Sequence, residues 1–551
     1  MDTTGDRLFQ PYHDGDGNEL LDEDVDEDGL DGVQAKDGSD DASTDYSTDE
    51  ETTILLRPEP ERKSILTEFE ELVAAVPQLG TEYELLDRLG TGTFSSVYKA
   101  RDLLHDQYDN SPWKTPSYMP EELSKGVHER KDDLVAVKRI YVTSSPERIK
   151  NEIQILADVI GCRHVCQLIS AFRVRDQVVA VMPYHRNDDF RTFYDDLPLG
   201  SWQDYFRCLF RALRDIHARN VIHRDVKPAN FLFDVRTGHG TLVDFGLAQI
   251  AQTDGSNTCN HSSTSEECPN GAFVRLDAGW KQMLLDSRND MRARRKWPSE
   301  RVGWPADEKG RHASRANRAG TRGFRAPEVL FKCNDQSGAI DVWAAGTILL
   351  FFLTKRFPIY TAGDDVEALM ELATIIGHKR LEKAALLHNR SFITNVPDIN
   401  EEGMGWRELV LKLNPTLLDD HEDERETVNE ALDLLDKCLE PEATRRITAR
   451  DALYHDFLRT GAVGVEEGED AGMYYDAGEE DDTTFVHPPG RGACASLHRK
   501  DEVTGQWHAL VGAKVWKSLA PGEGLCIGWH ACPLHTGNAL PPYEWDPCRE
   551  Y

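Results

Sequence analysis

The densest group of chemically useful residues in this 551-residue chain lies in the segment VIHRDVKPANFLF, residues 221–233. Asp225 is a carboxylate that could orient a hydroxyl group and accept its proton, and Lys227 could neutralise a phosphoryl group during transfer. Asn230 offers an amide oxygen to a magnesium ion. A helical pattern precedes the segment and a strand-like run follows it, so these residues are expected on a loop. The spacing H-R-D-x-x-x-x-N therefore indicates phosphoryl-transfer chemistry.

Two glycines lie in the segment LGTGTFSSVY, between two apolar runs that predict strands. Gly90 and Gly92 are thus expected at a hairpin, where backbone without a Cβ can approach phosphate oxygens. Ser95 replaces the third glycine of the common pattern, which leaves G-x-G-x-x-S-x-V. Because a Gly-x-Gly turn is common in hairpins, this segment alone is weak evidence for a nucleotide loop.

A lysine interrupts the apolar, strand-like run LVAVKRI, residues 134–140. The ammonium group of Lys138 is costly in such a strand unless it is paired. The helical pattern PERIKNEIQILADVI follows, and it places Glu152 beside an apolar face. In the pattern V-A-x-K the lysine holds nucleotide phosphates and a glutamate fixes the lysine. Taken alone, an edge-strand lysine and a solvated glutamate are the commoner interpretation of these residues.

Further segments complete an ordered set. TLVDFGLAQ ends a predicted strand with Asp244, a second carboxylate for a metal ion. GTRGFRAPEVL contains Glu328, AIDVWAAG contains Asp341 and EATRRITARDAL contains Arg446. Each segment occurs in the order and local context that protein kinases have, so the chain resembles the eukaryotic protein kinases.

This resemblance implies an α+β, bilobal protein kinase fold with insertions and disordered acidic tails. A small β-rich lobe would run to about Met182, with Pro183–His185 as the hinge before a mainly helical large lobe. ATP and Mg²⁺ would bind between the lobes, with Asn230 and Asp244 as metal ligands. The nucleotide site would be lined by Leu89, Gly90, Thr91, Gly92, Thr93, Phe94, Ser95, Val97, Ala136, Lys138, Met182 and Tyr184.

The same resemblance assigns roles to side chains around the reaction. The residues implied to be catalytic are Asp225, Lys227, Lys138, Glu152 and Thr321. Lys227 marks serine/threonine rather than tyrosine specificity, and Thr321 would hydrogen-bond the catalytic aspartate and lysine. Glu328 and Arg446 would form a buried ion pair, and Asp341 would hold the catalytic-loop backbone.

Other segments are more discriminating than the general kinase motifs. V-P-Q-L at residues 76–79 and D-D-x-x-A-L at residues 364–369, together with VVAVMPYH and RAGTRGFRAPEVL, closely resemble the cell-division-cycle-seven kinases. The resemblance covers about residues 63–458. It implies a nuclear enzyme that a regulatory subunit of the Dbf-four type activates. The implied substrate is the minichromosome maintenance helicase, whose phosphorylation triggers replication origin firing.

Three arginines surround Thr321, in the stretch that cradles the substrate in kinases. Arg318, Arg322 and Arg325 are predicted to favour an acidic or phosphorylated residue immediately after the target residue. The alternative is that Arg325 braces the loop internally, so the charge prediction rests mainly on the other two.

Composition limits the remaining possibilities. The formal net charge of -34 argues against nonspecific DNA binding through the whole surface, and no direct sequence-specific nucleic-acid binding is expected. The eleven cysteines are scattered rather than densely spaced, which favours a reducing intracellular compartment. No apolar run is long enough to cross a bilayer.

The predicted organisation has four parts. Residues 1–62 form a disordered acidic tail, 63–458 the kinase domain with surface insertions at about 105–132 and 251–312, 459–485 an acidic linker, and 486–551 a C-terminal tail. In that tail Cys526, His530, Cys532 and His535 raise the possibility of zinc, in an uncommon spacing. The alternative is a partner-docking segment anchored by tryptophans.

Two other functions fit parts of the pattern. A pseudokinase scaffold would bind a partner without chemistry, but it has no need to keep Lys138, Glu152, Asp225, Asn230 and Asp244, all of which are intact. An acidophilic kinase outside replication would share the catalytic set without the V-P-Q-L and D-D-x-x-A-L segments.

Overall fold

The computed structural model describes the chain in sections. These are residues 50–92, 94–108, 133–141, 145–160, 162, 164–251, 259–265, 268–274, 320–394, 396 and 399–459, a few single positions between 282 and 289, and four short strands after residue 483. None of the helices in these sections combines the length and apolarity that crossing a bilayer requires.

The small lobe is built on a five-stranded antiparallel sheet, in the spatial order β1-β2-β3-β5-β4. Its strands are β1 (Tyr83–Thr91), β2 (Ser95–Asp102), β3 (Leu134–Ile140), β4 (Ser170–Val174) and β5 (Gln177–Pro183). In β3 the buried Val135 and Val137 alternate with residues on the other face, as expected for a half-buried strand. That alternation directs Lys138 away from this apolar cluster.

Two helices cover the apolar face of this sheet. They are α1 (Glu59–Ala75) and α2 (Gln78–Glu82). In α1 the residues Ile65, Phe69 and Leu72 recur at helical spacing and are buried against the sheet. Burial of each such side chain stabilises the fold by roughly 1.5–3 kcal/mol. The Tyr98 hydroxyl also donates a hydrogen bond to Glu68 at 2.5 Å.

The prediction of a disordered tail up to residue 62 was wrong for the last part of that segment, which is helical. Residues Glu50–Leu56 form a 3₁₀ helix, and α1 begins before residue 62. Arg57 donates a hydrogen bond from Nε to Asp87 at 2.8 Å and a second one to Glu61. These contacts attach the segment before residue 62 to β1. They explain why this part of the chain is folded despite its high acidic content.

Another helix of the small lobe follows β3. Helix α3 (Pro146–Asp158) starts at the cap residue Ser145, whose hydroxyl accepts a hydrogen bond from the backbone of Arg148 at 3.3 Å. After β5 the chain continues through the predicted hinge, where the backbone N–H of Tyr184 donates to Leu134 O at 3.2 Å.

The large lobe is mainly helical and surrounds one apolar core. Its long helices are α5 (Leu199–His217), α7 (Ala339–Thr354) and α12 (Arg425–Cys438). Every residue of α7 is buried, in line with a helix that is apolar on all sides. The remaining helices are α4 (Phe190–Phe193), α6 (Pro327–Leu330), α8 (Asp365–Ile376), α9 (His378–Leu387), α10 (Trp406–Leu413), α11 (Leu417–Asp420), α13 (Ala449–Leu453) and α14 (Asp456–Arg459).

Short strands position the loops that carry the candidate chemistry. The pairs are β6 (Val221–Ile222) with β9 (Gln249–Ile250), and β7 (Phe231–Asp234) with β8 (His239–Leu242). Beyond the large lobe, β10 (Thr484–Val486), β11 (Leu497–Lys500), β12 (Trp507–Val511) and β13 (Val515–Ser518) form an antiparallel sheet in that order. Cys526, His530, Cys532 and His535 lie outside the described residues.

Part of the predicted surface insertion at about residues 251–312 is folded. The backbone N–H of Asn260 donates to Leu387 O at 2.8 Å, and the side chain of Asn270 donates to Arg446 O at 2.8 Å. A backbone bridge joins His261 to Phe273. Residues 259–265 and 268–274 thus pack on the large lobe, because their amides find backbone partners there that composition does not reveal. The first insertion lies outside the described residues from 109 to 132.

Candidate active site

Lys138 joins the two lobes through an ion-pair network in which the lysine and Glu152 are buried and Asp244 is about half exposed. Its Nζ lies 2.7 Å from Glu152 Oε1 on α3 and 2.8 Å from Asp244 Oδ1, which follows β8. Burial lowers the pKa of Lys138, but the two carboxylates outweigh burial and raise it above the ordinary value. Burial likewise raises the pKa of Asp244, and the lysine ammonium reverses this, lowering it to about 2. The lysine and the Asp244 carboxylate are therefore both charged at neutral pH.

Asp225 lies at the centre of a second network. Both the backbone N–H and the hydroxyl of Thr321 donate to Asp225 Oδ1, at 2.9 and 2.8 Å. Lys227 Nζ lies 3.1 Å from Asp225 Oδ2 and donates to the Thr321 hydroxyl oxygen at 3.0 Å. Asn230 Nδ2 donates to Asp225 Oδ2 at 2.9 Å. The sequence places Thr321 almost a hundred residues after Asp225, yet the fold brings these four side chains together.

Asp341 anchors the backbone of the loop that carries Asp225. Its carboxylate accepts hydrogen bonds from the backbone N–H groups of His223 and Arg224, each at 2.8 Å, and lies 2.9 Å from His217 Nε2. Arg224 has a left-handed φ of 71°, a conformation that is strained for a residue with a side chain. The buried carboxylate compensates for that strain, because it satisfies two successive amides that the turn would leave without partners.

A bidentate ion pair braces the large lobe behind this site. Arg446 Nη1 and Nη2 lie 2.6 and 3.0 Å from the two carboxylate oxygens of Glu328, and the guanidinium stacks 5.0 Å from the ring centre of Trp343. Burial raises the pKa of Glu328, but Arg446 outweighs burial and holds the pKa below its usual range. The pair connects the segment after Thr321 with the end of the large lobe.

The glycine hairpin leaves space for a ligand above its backbone. The N–H of Gly92 donates to Ser95 O at 2.8 Å, which closes the turn between β1 and β2. A Cβ added at Gly90 would meet no atom within 4 Å, and one at Gly92 would meet only Ser95 O, at 3.7 Å. Phe94 is exposed at the tip, where the Arg148 guanidinium lies 4.4 Å from its ring centre. This open backbone fits the close approach of phosphate oxygens.

The other predicted nucleotide-site residues lie on the sheet or next to it. Ala136 pairs with Met182 across β3 and β5, and Val97 pairs with Lys138 across β2 and β3. Leu89 and Thr91 belong to β1, and the Tyr184 ring lies 4.5 Å from Lys99 Nζ. Thr93 lies outside the described residues.

The three arginines predicted to read the substrate have different surroundings. Arg325 donates from Nε to Gly320 O at 2.9 Å, and its Nη1 lies 2.8 Å from Asp365 Oδ1. This supports the alternative in which Arg325 braces the loop internally. Arg322 donates to Ala362 O at 3.4 Å, whereas Arg318 lies outside the described residues.

Sequence reasoning missed the role of Asp365. Its carboxylate also pairs with Lys332, so it joins the substrate-facing loop to the turn after α6. Asp364 caps α8 by accepting hydrogen bonds from the backbone of Val366 and Glu367, each at 2.8 Å. The repeated aspartate of the D-D-x-x-A-L segment was the available signal, with one residue capping the helix and the other pairing with a cation.

The pairing of Lys138 with Glu152 and Asp244, close to the loop that carries Asp225, is the arrangement typical of protein kinases. Residues 122–267 and 306–458 match the family model described as the protein kinase domain. The cell cycle serine/threonine-protein kinase hsk1 of Schizosaccharomyces pombe is 41% identical over 73% of this chain and 78% of its own length. The cell cycle protein kinase spo4 of the same organism is 36% identical over 72% of this chain and 90% of its own.

A third relative comes from another organism. The probable cell division control protein 7 homolog 2 of Encephalitozoon cuniculi is 34% identical over 68% of this chain and 92% of its own length. The chain belongs to the cell-division-cycle-seven family of serine/threonine protein kinases. It is a cell-cycle serine/threonine kinase that uses ATP and a divalent metal ion and acts on protein substrates.

Proposed function

We propose that this kinase phosphorylates the minichromosome maintenance helicase in the nucleus and so triggers replication origin firing, as the catalytic partner of a Dbf-four-type subunit. The support is the similarity to cell-cycle kinases over some 70% of the chain, combined with a fully assembled catalytic network. The main structural support for kinase activity is the contact of Thr321 with both Asp225 and Lys227. It couples the phosphoryl-transfer residues to the loop that receives a substrate.

The chain's own groups account for each requirement of the reaction. Asp225 orients the substrate hydroxyl and accepts its proton, with its carboxylate held in place by the hydrogen bonds from Thr321. Lys227 neutralises negative charge that develops on the transferred group. Lys138, fixed by Glu152, positions the phosphates of ATP, and the open backbone at the glycine hairpin fits them.

Two side chains fit a magnesium ion. The Asp244 carboxylate stays ionised because Lys138 lowers its pKa, and carboxylate oxygen is a preferred ligand of this hard cation. Asn230 uses its Nδ2 toward the Asp225 carbonyl and carboxylate, so its amide oxygen is the atom that remains for the ion. A bound Mg²⁺ would neutralise negative charge on the phosphate groups of ATP.

The substrate preference follows from Arg322 and Arg318 rather than from Arg325. Arg325 is already paired with Asp365, so its charge is balanced within the protein. Arg322 donates to Ala362 O at 3.4 Å, and a guanidinium can form charge-assisted hydrogen bonds with carboxylate or phosphate. We therefore expect an acidic or phosphorylated residue directly after the target serine or threonine.

The test is to purify the tagged chain from cells of its own organism and to identify co-purifying proteins by mass spectrometry. The recovered complex is then incubated with ATP and purified minichromosome maintenance hexamer, with an Asp225→Asn complex as the matched control. We expect a regulatory subunit in the complex and helicase phosphorylation that the variant lacks. Phosphorylation of generic acidic substrates but not of the hexamer would favour an acidophilic kinase outside replication. No phosphorylation of either substrate by the complete complex would favour a scaffold.

A further inference from the structure

Strand β1 departs from regular pairing twice just before the glycine hairpin. Its register with β2 shifts between Leu85 and Asp87 and again between Arg88 and Gly90. Each shift leaves one extra residue on β1, and the second extra residue is Leu89, which is predicted to line the nucleotide site. A bulge disrupts the hydrogen-bond ladder locally, so the stretch between the two shifts depends on other contacts for a fixed position.

One guanidinium group contacts both residues of that stretch. Arg57 lies between the 3₁₀ helix and α1, and its Nε donates to Asp87 Oδ1 at 2.8 Å. Its Nη2 donates to the backbone oxygen of Arg88 at 2.6 Å, and its Nη1 donates to Glu61 Oε1 at 2.6 Å. Each nitrogen of the planar group therefore has its own acceptor, which fixes the orientation of the group.

The carboxylate of Asp87 connects this contact to the second register shift. The Asp87 side chain is 4% exposed, and its Oδ1 also accepts a hydrogen bond from the backbone N–H of Arg88 at 2.8 Å. A buried carboxylate is costly without a counterion, so Asp87 depends on Arg57. Arg57 thus holds the carbonyl of Arg88 directly and its amide through Asp87, immediately before Leu89.

Helix α1 holds the partner strand at the same level. Glu68 accepts a hydrogen bond from the Tyr98 hydroxyl at 2.5 Å and one from Arg88 Nη1 at 3.2 Å. Tyr98 pairs with Arg88 across the two strands and directly follows Val97, another residue predicted to line the nucleotide site. The segment before β1 therefore contacts both strands one residue away from side chains that would cover the nucleotide.

We propose that Arg57 is a positioning residue for ATP binding. It holds Asp87 and the carbonyl of Arg88 so that Leu89 and the glycine hairpin keep the conformation that binds the nucleotide. Arg57 lies outside the predicted nucleotide site, so it acts through the backbone of β1 and not on the phosphoryl-transfer step. The role requires only that the kinase uses ATP and is independent of the substrate proposed above. Because coupling is reciprocal, bound nucleotide should in turn stabilise the contacts of Arg57.

The test compares nucleotide affinity with turnover in an Arg57→Met variant, which keeps most of the aliphatic side chain. Titration calorimetry of the full-length chain with MgADP gives Kd, and steady-state assays of the complex purified from cells give KM and kcat. We expect Kd for MgADP and KM for ATP to rise about fivefold or more, while kcat stays within about twofold of wild type. Backbone amides of residues 89–95 should also exchange hydrogen faster in the variant.

Arg101→Met is the matched control. Arg101 pairs with Glu84 at the end of β1 that is remote from the hairpin, and its side chain is 26% exposed, compared with 29% for Arg57. The control loses an ion pair of the same strand and should keep the wild-type Kd and KM within about twofold.

Arg57→Lys keeps the proposal falsifiable if Arg57→Met folds poorly. An ammonium group can still pair with Asp87 but cannot reproduce the forked contact with Asp87 and the carbonyl of Arg88. This variant should raise Kd for MgADP in the same direction, by a smaller factor. A rise in Kd no larger than that of Arg101→Met, in whichever Arg57 variant is folded, would overturn the assignment. A loss of kcat as large as the rise in KM would indicate a merely structural role and would overturn it as well.

Discussion

Removing the guanidinium of Arg446 should destabilise the large lobe more than any other single loss of charge described above. Its side chain is 0% exposed and that of Glu328 is 2% exposed, so an Arg446→Met variant leaves a carboxylate buried without its counterion. The variant also loses hydrogen bonds to the carbonyls of Ala339 and Glu440. Breaking one side of such a buried pair costs on the order of 3–5 kcal/mol. Methionine keeps most of the aliphatic volume, so little of this cost comes from a cavity.

The assay is equilibrium urea unfolding followed by tryptophan fluorescence, which reports on the large lobe through Trp202, Trp343 and Trp406. The control is Arg445→Met at the neighbouring position. That arginine is 67% exposed and lies 3.7 Å from Glu442, so its loss should change stability by less than about 1 kcal/mol. An Arg446→Met cost below about 1 kcal/mol, or one equal to that of the control, would refute the buried-pair argument.

The loss of stability in the Arg446→Met variant should also depend on pH, in a direction that follows from the ion pair. Because Arg446 lowers the pKa of Glu328, the pair contributes stability above the unfolded pKa of this glutamate and loses it as the pH falls through the lowered folded value. In the variant, burial without the guanidinium raises the pKa of Glu328, so the carboxyl is protonated at higher pH and the penalty is relieved. The difference in stability between wild type and variant should therefore be larger at pH 7 than at pH 5. A difference that grows as the pH falls would contradict this reasoning.

Three further predictions concern activity. Asp225→Asn should lower kcat by about 10²–10⁴-fold. Lys138→Arg should lower kcat to a similar degree, because the wider guanidinium does not fit between the two carboxylates that hold the lysine. Both variants should still bind a regulatory subunit, and activity within several-fold of wild type in steady-state assays would refute these roles. The isolated chain should be at least about tenfold less active than its complex with the regulatory subunit at saturating ATP, because a partner that pins the long activation segment offsets the entropy cost of ordering it. Equal specific activities would contradict this. A peptide with aspartate directly after the target serine should have a kcat/KM roughly ten- to a hundredfold above that of the same peptide with alanine there. An Arg318→Ala/Arg322→Ala variant should lose this selectivity. Equal kcat/KM values for the two peptides with the wild type would refute the predicted preference for an acidic residue.

The catalytic core could be predicted from the sequence because its chemistry resides in short, local patterns. Lys138 lies in an apolar strand where an unpaired charge would be costly, so the pattern implied a partner for it. The structure places that partner, Glu152, within hydrogen-bond distance. Local spacing was sufficient there because each loop lies directly between two elements of strong periodicity.

The contacts that sequence reasoning missed join distant segments through groups that look ordinary locally. Nothing near Asp365 indicated Arg325 as its partner, forty residues away. The side chains of Cys259, His261, Cys333 and His388 come together from three regions of the chain, so no motif spacing connected Cys259 with His388. The polar composition before residue 62 likewise gave no indication of the ion pair between Arg57 and Asp87. Such a pair can order a segment that has little apolar surface.

Helix α1 has a consequence for how the kinase can be controlled. It covers the sheet face that contains Tyr98, and its own residues Phe69 and Leu72 fill that surface. A regulator that docked there would have to compete with a tethered segment of the same chain, whose effective concentration far exceeds that of a free protein. The small lobe thus carries its own occupant on this sheet face, so we expect an external regulator to bind elsewhere on the kinase.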